Sequence, residues 1–457
     1  MSPMSPMTEA PNPPAPSPDT DGKKVWIETY GCQMNVADTE LMYGGLRKDG
    51  FLIAERLDEA DVVLLNTCAV REKAEERIYG RVSQLLRFKY TNPDLVLGVT
   101  GCMAEHVKER IFDRAPYVDL VVGPDAYRRL PALLREAGKG DPVVDVRLDK
   151  RETYEGMTPS RGEGVSGWIS IQRGCDKFCT FCIVPYTRGR ERGTPPREVL
   201  RQARELASMG YREVTLLGQT VNSYRYEDVD FADLIRAVAE IPGFERVRYT
   251  SPYPVDFSTK LIRTLAELDN VPDYLHLPVQ SGDDDVLTRM KRGYSVDDFR
   301  RIVDELREHI PDIAISTDVI VGFPDETEEQ FERTLRLVEE VGFDFAFMFA
   351  YSEREGTYAS KKIPDTIPEA TKKRRLRELI DLQRSIGAER FARRVGQTVE
   401  VLVEGPGRRD DGNWYGKSAD FKTTLFVPDA ETKAGDIVRV QVHTATANSL
   451  TGTLARA

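Results

Sequence analysis

Cysteine is scarce in this chain, with six in 457 residues. A secreted framework held by disulfides uses cysteine far more densely, so six thiols in so long a chain suit a reducing compartment that keeps thiolates for metal. Histidine is scarcer still: His106, His276, His309 and His443 stand apart in sequence and form no acid–base constellation. His276, inside an apolar run, reads as a satisfied barrel residue. There is no GxSxG elbow and no phosphate-loop motif, which removes the common hydrolase and kinase readings. No apolar run approaches the ~20 residues that cross a bilayer, so no membrane partner is expected. Residues 1 to 22 are rich in proline and serine and hold neither an apolar core nor an arginine, so they read as a disordered tail and not as a secretory or transit signal. A cytoplasmic, monomeric protein is the expectation. At 40 % hydrophobic and 30 % charged residues the composition is ordinary for globular domains, and the length allows roughly two to four of them.

Three of the six cysteines fall in one short run, Cys175-Asp176-Lys177-Phe178-Cys179-Thr180-Phe181-Cys182, with an aromatic residue before the last. On a helix these positions would share a face and fill a core. The scarcity of cysteine elsewhere favours an iron–sulfur site. Three thiolates hold three corners of a four-iron cube, and with no fourth cysteine nearby one iron stays open to a ligand. An open iron serves chemistry, not scaffolding. Cys32, Cys68 and Cys102 are far apart, yet each follows a strand-like run: Val25 to Tyr30, Val62 to Asn66 and Leu95 to Val99. Helix-like stretches, Thr39 to Lys48 and Val70 to Phe88, lie between them. The strands should therefore be parallel, their carboxyl ends lining one crevice where three thiols converge on a second cluster.

The fold class expected is α/β in three blocks. Residues 23–145 should form a doubly wound domain, ending in a helix over Ala126 to Ala137 and a strand at Val143 to Val146. A polar linker around Lys150 to Gly167 leads to a second block, 153–390, with six strand candidates: Trp168 to Gln172, Glu213 to Leu217, Arg246 to Thr250, Tyr274 to Val279, Ile313 to Val321 and Asp344 to Ala350. Six such units make a partial (β/α)6 barrel, whose carboxyl-end loops would carry the Cys175 run. The third block, 395–457, has short strands at Thr398 to Val403, Trp414 to Lys417, Thr424 to Val427 and Ile437 to His443, the pattern of a small β-barrel of the oligonucleotide-binding type. The net charge of −11 counts against a nucleic-acid partner, but between Lys372 and Arg394 nine basic residues stand against three acidic ones, a local +6. Lys372, Lys373, Arg374, Arg375 and Arg377 are candidate phosphate contacts there. Arg188 and Arg190 add a patch beside the cluster, and Arg408 and Arg409 extend it. Leu376, Leu379, Ile380 and Ile386 would seat the basic helix on the body.

The Cys175–Cys182 run resembles the signature of the radical S-adenosylmethionine (SAM) enzymes. The resemblance implies a 4Fe-4S cluster on Cys175, Cys179 and Cys182 whose open iron is chelated by SAM, and an electron that splits SAM into methionine and a 5′-deoxyadenosyl radical. The words Gly31-Cys32-Gln33-Met34-Asn35, Asn66-Thr67-Cys68 and Gly101-Cys102 resemble the amino-terminal domain of the methylthiotransferases, a family with two 4Fe-4S clusters, and the last block resembles the TRAM domain of RNA-modifying enzymes. By that resemblance Phe181, Gly218, Gln219, Gln280, Ser281 and Asp318 line the SAM pocket, although glycine and serine there equally serve βα turns. The family resemblance also implies two SAM molecules, sulfur delivery at Cys32, Cys68 and Cys102, an electron donor such as flavodoxin or ferredoxin, and the tRNA anticodon stem-loop as partner. The Cys32 word, with Asp38 and Glu40, resembles the branch that 2-methylthiolates N6-isopentenyladenosine (N6-dimethylallyladenosine) beside the anticodon. Sister branches act on threonylcarbamoyladenosine or on a ribosomal-protein aspartate. The competing class, an iron–sulfur electron carrier, has no use for an open iron or a six-unit barrel.

Overall fold

The computed structural model describes residues 22–69, 72–407 and 412–455. Of the tail expected over residues 1 to 22, all but Gly22 lies outside them, as do Arg408 and Arg409. The chain divides into two compact units, one running to Asp149 and taking in Gly156–Arg161, the other made of Lys150–Glu155 and everything from Gly162.

The first unit is a six-stranded, all-parallel sheet of β1 (Lys24–Thr29), β2 (Leu52–Ile53), β3 (Val62–Thr67), β4 (Val96–Gly101), β5 (Leu120–Val122) and β6 (Val143–Asp145), in the order β2-β1-β3-β4-β5-β6. β3 and β4 are buried along their whole length, as unbroken apolar runs must be when helices cover both faces of a parallel sheet. The order reverses between β1 and β3, which makes their carboxyl ends the crevice of a flavodoxin-like sheet. β2 and β5 are too short to stand out in the sequence. The stretch read as a linker is in part a strap on this unit: the Ser160 N–H donates to the Glu40 carbonyl at 2.8 Å, and a Cβ at Gly44 would lie 1.8 Å from the Thr158 carbonyl oxygen.

Glu105, three residues after Cys102, is 2 % exposed. Its Oε2 makes no hydrogen bond among the described residues. Burial pushes its carboxyl up to about 8, against the pull of Lys108 at 3.7 Å. Between the ordinary carboxyl range and pH 8 the folded chain therefore holds a proton that the unfolded chain has released, and stability falls as pH rises through that window. Glu105→Gln should shrink the drop in urea midpoint between pH 5 and pH 8.5; parallel drops in both proteins would contradict this.

In the second unit β7 (Ser166–Ser170), β10 (Glu213–Leu217) and β13 (Arg246–Tyr249) form one parallel sheet, in the order β13-β10-β7, and β14 (Tyr274–His276), β15 (Ala314–Val321) and β16 (Phe345–Ala350) form another. These are the six strands of the partial barrel. The first departs from its expected span: Gln172–Arg173 leave as β8 to pair antiparallel with β9 (Arg192–Gly193), turning the chain into the cysteine loop. A small hairpin, β11 (Arg225–Tyr226) and β12 (Val229–Asp230), follows β10. Capping boxes start the helices Val296–His309, at Ser295 and Asp298, and Glu328–Val341, at Thr327 and Gln330. Each satisfies two otherwise orphaned backbone donors.

The last strands, β17 (Thr398–Pro406), β18 (Trp414–Ser418), β19 (Thr423–Val427), β20 (Ile437–Ala445) and β21 (Ser449–Leu454), close a five-stranded barrel in the order β17-β18-β19-β21-β20. It is docked on the (β/α)6 barrel, not tethered beside it. Arg246 donates to the Lys417 carbonyl at 2.5 Å and Arg248 to that of Ser418 at 3.2 Å. Phe421 stacks on Tyr274 with ring centroids 4.7 Å apart. Lys422, 1 % exposed, sits between Asp344 and Asp420, each at 2.8 Å. Removing one partner of a buried ion pair leaves an uncompensated charge, so Lys422→Met should lower unfolding free energy by about 3 kcal/mol or more. Chemical denaturation measures this, and a loss below 1 kcal/mol would mean that the contact is wet.

Candidate active site

Residues 174–183 form no helix, so the reading of Cys175, Cys179 and Cys182 as one core-packing helix face does not hold. They form a loop instead, pinned from three sides. Cys175 N–H donates to the Gly189 carbonyl at 3.1 Å, Thr180 N–H to that of Met290 at 3.0 Å, and Ala359 N–H to that of Thr180 at 2.8 Å. Gly174 opens the loop at φ +78°, and a Cβ there would lie 2.0 Å from the Arg190 carbonyl oxygen. Cys175 and Cys179 are each 8 % exposed. Burial pushes the Cys175 thiol up to about 11 and the Cys182 thiol to about 12, and in each case the neighbouring Cys179 adds to the rise. Cys175 and Cys182, raised this far, stay protonated until a metal takes their protons, which is the donor chemistry of an iron–sulfur cluster. Among the described residues no three donors stand where they would hold a single metal ion; the ligands of a cube bind different irons.

Sequence reading missed Arg292. It lies more than a hundred residues from the cysteines, just past the helix Asp284–Met290, and no local signal marks it. It is 6 % exposed. Its Nη1 donates to Cys179 Sγ at 3.3 Å, Nη2 to the Pro278 carbonyl at 3.1 Å and Nε to Tyr294 Oη at 3.0 Å. Burial works against its charge, but Tyr294 and Cys179 hold the guanidinium above its ordinary range.

The residues expected around SAM divide into two groups. Phe181 packs edge-on against Phe323 at 6.5 Å. Gly218 and Gln219 follow β10, and Gln219 Oε1 is buried without a hydrogen bond among the described residues. Gln280, at φ +74°, is bridged to β15 by its N–H to the Asp318 carbonyl at 2.8 Å and by its carbonyl from Ile320 N–H at 2.9 Å. Asp318 Oδ2 lies 3.4 Å from His276 Nε2, whose other ring nitrogen meets Ser316 Oγ at 2.8 Å. Ser281 is the exception. Fully buried, its hydroxyl is taken by Thr334 and by Asp283 N–H, so it makes the turn and is corrected as a SAM contact.

In the first unit the three cysteines leave neighbouring strands. Cys32 precedes the helix Gln33–Lys48, Cys68 follows β3, and Cys102 opens the helix Cys102–Val107 after β4. Thr29 pairs with Asn66 and Thr67 with Gly101, so Cys68 and Cys102 emerge level on strands about 4.8 Å apart. The sequence words around them knit this edge together. Asn35 Nδ2 donates to Asn66 Oδ1 and to the Thr67 carbonyl, both at 3.2 Å, and Asn66 Nδ2 returns to the Asn35 carbonyl at 2.7 Å. A Cβ at Gly31 would lie 3.0 Å from Cys68 Cβ, and one at Gly101, φ +92°, 2.6 Å from the Thr67 carbonyl oxygen.

The basic candidates fare unevenly. Lys372, 1 % exposed, pairs with Asp365 at 2.5 Å, and Arg375, 3 % exposed, with Glu326 at 2.9 Å and Glu328 at 3.0 Å. Both are corrected as phosphate contacts, because they staple the helix Glu369–Ala392 to the barrel. Arg374 bridges Glu328 and Glu378 at the surface. Arg188 is buried, whereas Arg190 lies over the Phe178 ring and pairs with Asp176 at 2.6 Å. Lys373 and Arg377 are exposed.

Three family models match the chain: the Radical SAM superfamily over residues 169–338, the Uncharacterized protein family UPF0004 over 24–123 and the TRAM domain over 392–455. A Phocaeicola vulgatus protein named tRNA-2-methylthio-N(6)-dimethylallyladenosine synthase is 45 % identical over 95 % of this chain and 96 % of its own length. Proteins of the same name from Thermoanaerobacter sp. and Amoebophilus asiaticus are 44 % and 43 % identical, over 95 % and 94 % of this chain and 94 % and 92 % of theirs. A radical SAM methyltransferase from Kitasatospora setae shares the fold at a TM-score of 0.55 and 15 % identity, over 74 % of this chain and 77 % of that one.

Proposed function

The chain belongs to the radical SAM family of the tRNA-2-methylthio-N(6)-dimethylallyladenosine synthases, and we propose that it 2-methylthiolates N6-isopentenyladenosine beside the tRNA anticodon. One observation carries this: the likeness to its relatives runs along 441 residues, through both cysteine triads and both barrels, and not along one shared module. Cys175, Cys179 and Cys182 hold the 4Fe-4S cluster that the radical SAM model implies. When bound, that cluster supplies the electron that splits SAM. Arg292 offsets negative charge at Cys179, which raises the cluster's potential. Gln219, just past the carboxyl end of β10, and Asp318, midway along β15, meet the polar groups of SAM.

A second 4Fe-4S cluster on Cys32, Cys68 and Cys102 delivers the sulfur. The register of β3 and β4 and the two glycines that make room beside the cysteines support it. The radical chemistry consumes an electron that a small donor such as flavodoxin or ferredoxin provides. The enzyme works as a cytoplasmic monomer, and six cysteines in 457 residues support the reducing compartment; no described helix is long and apolar enough to cross a membrane. Nucleoside mass spectrometry of tRNA from cells lacking this protein tests the function. Isopentenyladenosine should accumulate while its methylthio form disappears. An unchanged methylthio-isopentenyl pool, with the methylthio-threonylcarbamoyl nucleoside missing instead, would overturn the assignment.

A further inference from the structure

The helix Glu369–Ala392 sorts its cations by face. Lys372 and Arg375 share the buried stripe with Leu379 and Gln383, and Arg374 is taken by Glu328 and Glu378. Lys373, Arg377 and Arg384 are exposed and carry no ion pair among the described residues. Spaced four and then seven residues apart, they stand in one row about 16 Å long.

That row ends at a cleft of about 400 Å³, walled by the helix, by β16 and by the β18–β19 hairpin, with Phe347, Phe421, Gln383, Arg384 and Lys417 among its lining. Phe347 is 57 % exposed, on the last strand of its sheet. It is paired in register with Asp318, and its ring meets His276 edge-on at 5.7 Å. Lys417 lies over the Phe421 ring at 4.8 Å and donates to Thr423. Gln383, 5 % exposed, spends its amide N–H on the Phe343 carbonyl, while its Oε1 makes no hydrogen bond among the described residues.

We infer that this cleft receives one unstacked base of a single-stranded RNA segment, laid on the Phe347 ring, with the flanking phosphates on Lys373, Arg377 and Arg384. Cations that track a backbone beside a bare aromatic face are how single strands are held, since every base offers a π-face and every linkage a charge. An acidic protein surface would use the cationic row but has no need of the aromatic slot. The inference rests on the tRNA reading and extends it to a base-binding subsite whose lining includes no residue of the cysteine loop.

The test uses the full-length, anaerobically reconstituted protein and a fluorescein-labelled anticodon stem-loop carrying isopentenyladenosine, with binding followed by anisotropy across salt. Phe347→Ala should weaken binding about tenfold at every salt concentration and leave the salt slope alone, and Phe347→Trp should restore it. The combined Lys373→Ala, Arg377→Ala, Arg384→Ala variant should flatten the slope by about 2, three single-strand phosphate contacts, while SAM cleavage without RNA is retained. Phe347→Ala binding within twofold of wild type, or Phe347→Trp as weak as Phe347→Ala, overturns the inference. If wild type binds and modifies the stem-loop in those cases, only the subsite is wrong; if wild type does not bind the stem-loop, the tRNA reading fails with it.

Discussion

Replacing Cys175, Cys179 and Cys182 together with alanine should abolish SAM cleavage and lower bound iron from about eight to about four per chain, four for each cluster. The loss is expected to be complete, not graded. The three thiols sit on one loop, Cys175 and Cys179 buried and Cys182 half-buried, and their own compact unit contains no other cysteine. The converse variant, with Cys32, Cys68 and Cys102 replaced, should also retain about four irons but keep SAM cleavage, because the loop that binds the first cluster is pinned by Gly189, Met290 and Ala359 of its own unit. Iron analysis with a 5′-deoxyadenosine assay separates the two. Loss of SAM cleavage in the converse variant, with its remaining irons intact, would contradict the division of labour.

Gly174→Ala should have nearly the same effect through backbone geometry alone. Residue 174 is at φ +78°, and a methyl group there would meet the Arg190 carbonyl oxygen at 2.0 Å and that of Gly189 at 2.6 Å, backbone atoms that cannot swing aside. Left-handed strain costs a non-glycine residue roughly 1–3 kcal/mol, and the clash adds to it by pushing away the Gly189 carbonyl that anchors Cys175 N–H. The expected protein is folded, holds about four irons, and cleaves SAM at least about a hundredfold more slowly, the rate equivalent of ~3 kcal/mol. Gly210→Ala is the control: φ there is +86° but nothing lies within 4 Å of a Cβ, so iron content should not change. Full iron and full activity in Gly174→Ala would contradict this reading of the loop's packing.

The cysteines were legible because their signal is local. A CxxxCxxC run needs no partner to be noticed, and Cys32, Cys68 and Cys102 each close an apolar run that a parallel sheet turns into a shared edge. The barrel strands were legible for the same reason, to within a few residues. What the sequence hid were partners brought together by folding. Lys372 and Arg375 count as positive charge in any window, but the carboxylates that claim them, on Asp365, Glu326 and Glu328, lie up to 49 residues away. Arg292 reaches Cys179 across 113 residues. The Gly156–Arg161 strap looked like a linker because its ties to the first unit, the Ser160 backbone hydrogen bond and the buried Arg161 side chain 3.5 Å from the Glu40 carboxylate, both reach a residue far back in the sequence. The final β-barrel was recognisable, but its anchorage on Arg246, Arg248 and Lys422 was not. Ser281 shows the converse error: a polar residue in a family-like word can serve only its own turn.

The most direct measurement is a single-product assay. The reconstituted protein is incubated anaerobically with SAM, a reductant and an anticodon stem-loop carrying isopentenyladenosine, and the nucleosides are then weighed. The account predicts 2-methylthio-isopentenyladenosine together with 5′-deoxyadenosine. Cleavage of SAM with isopentenyladenosine left unmodified, while a threonylcarbamoyladenosine stem-loop gains the methylthio group, would contradict it.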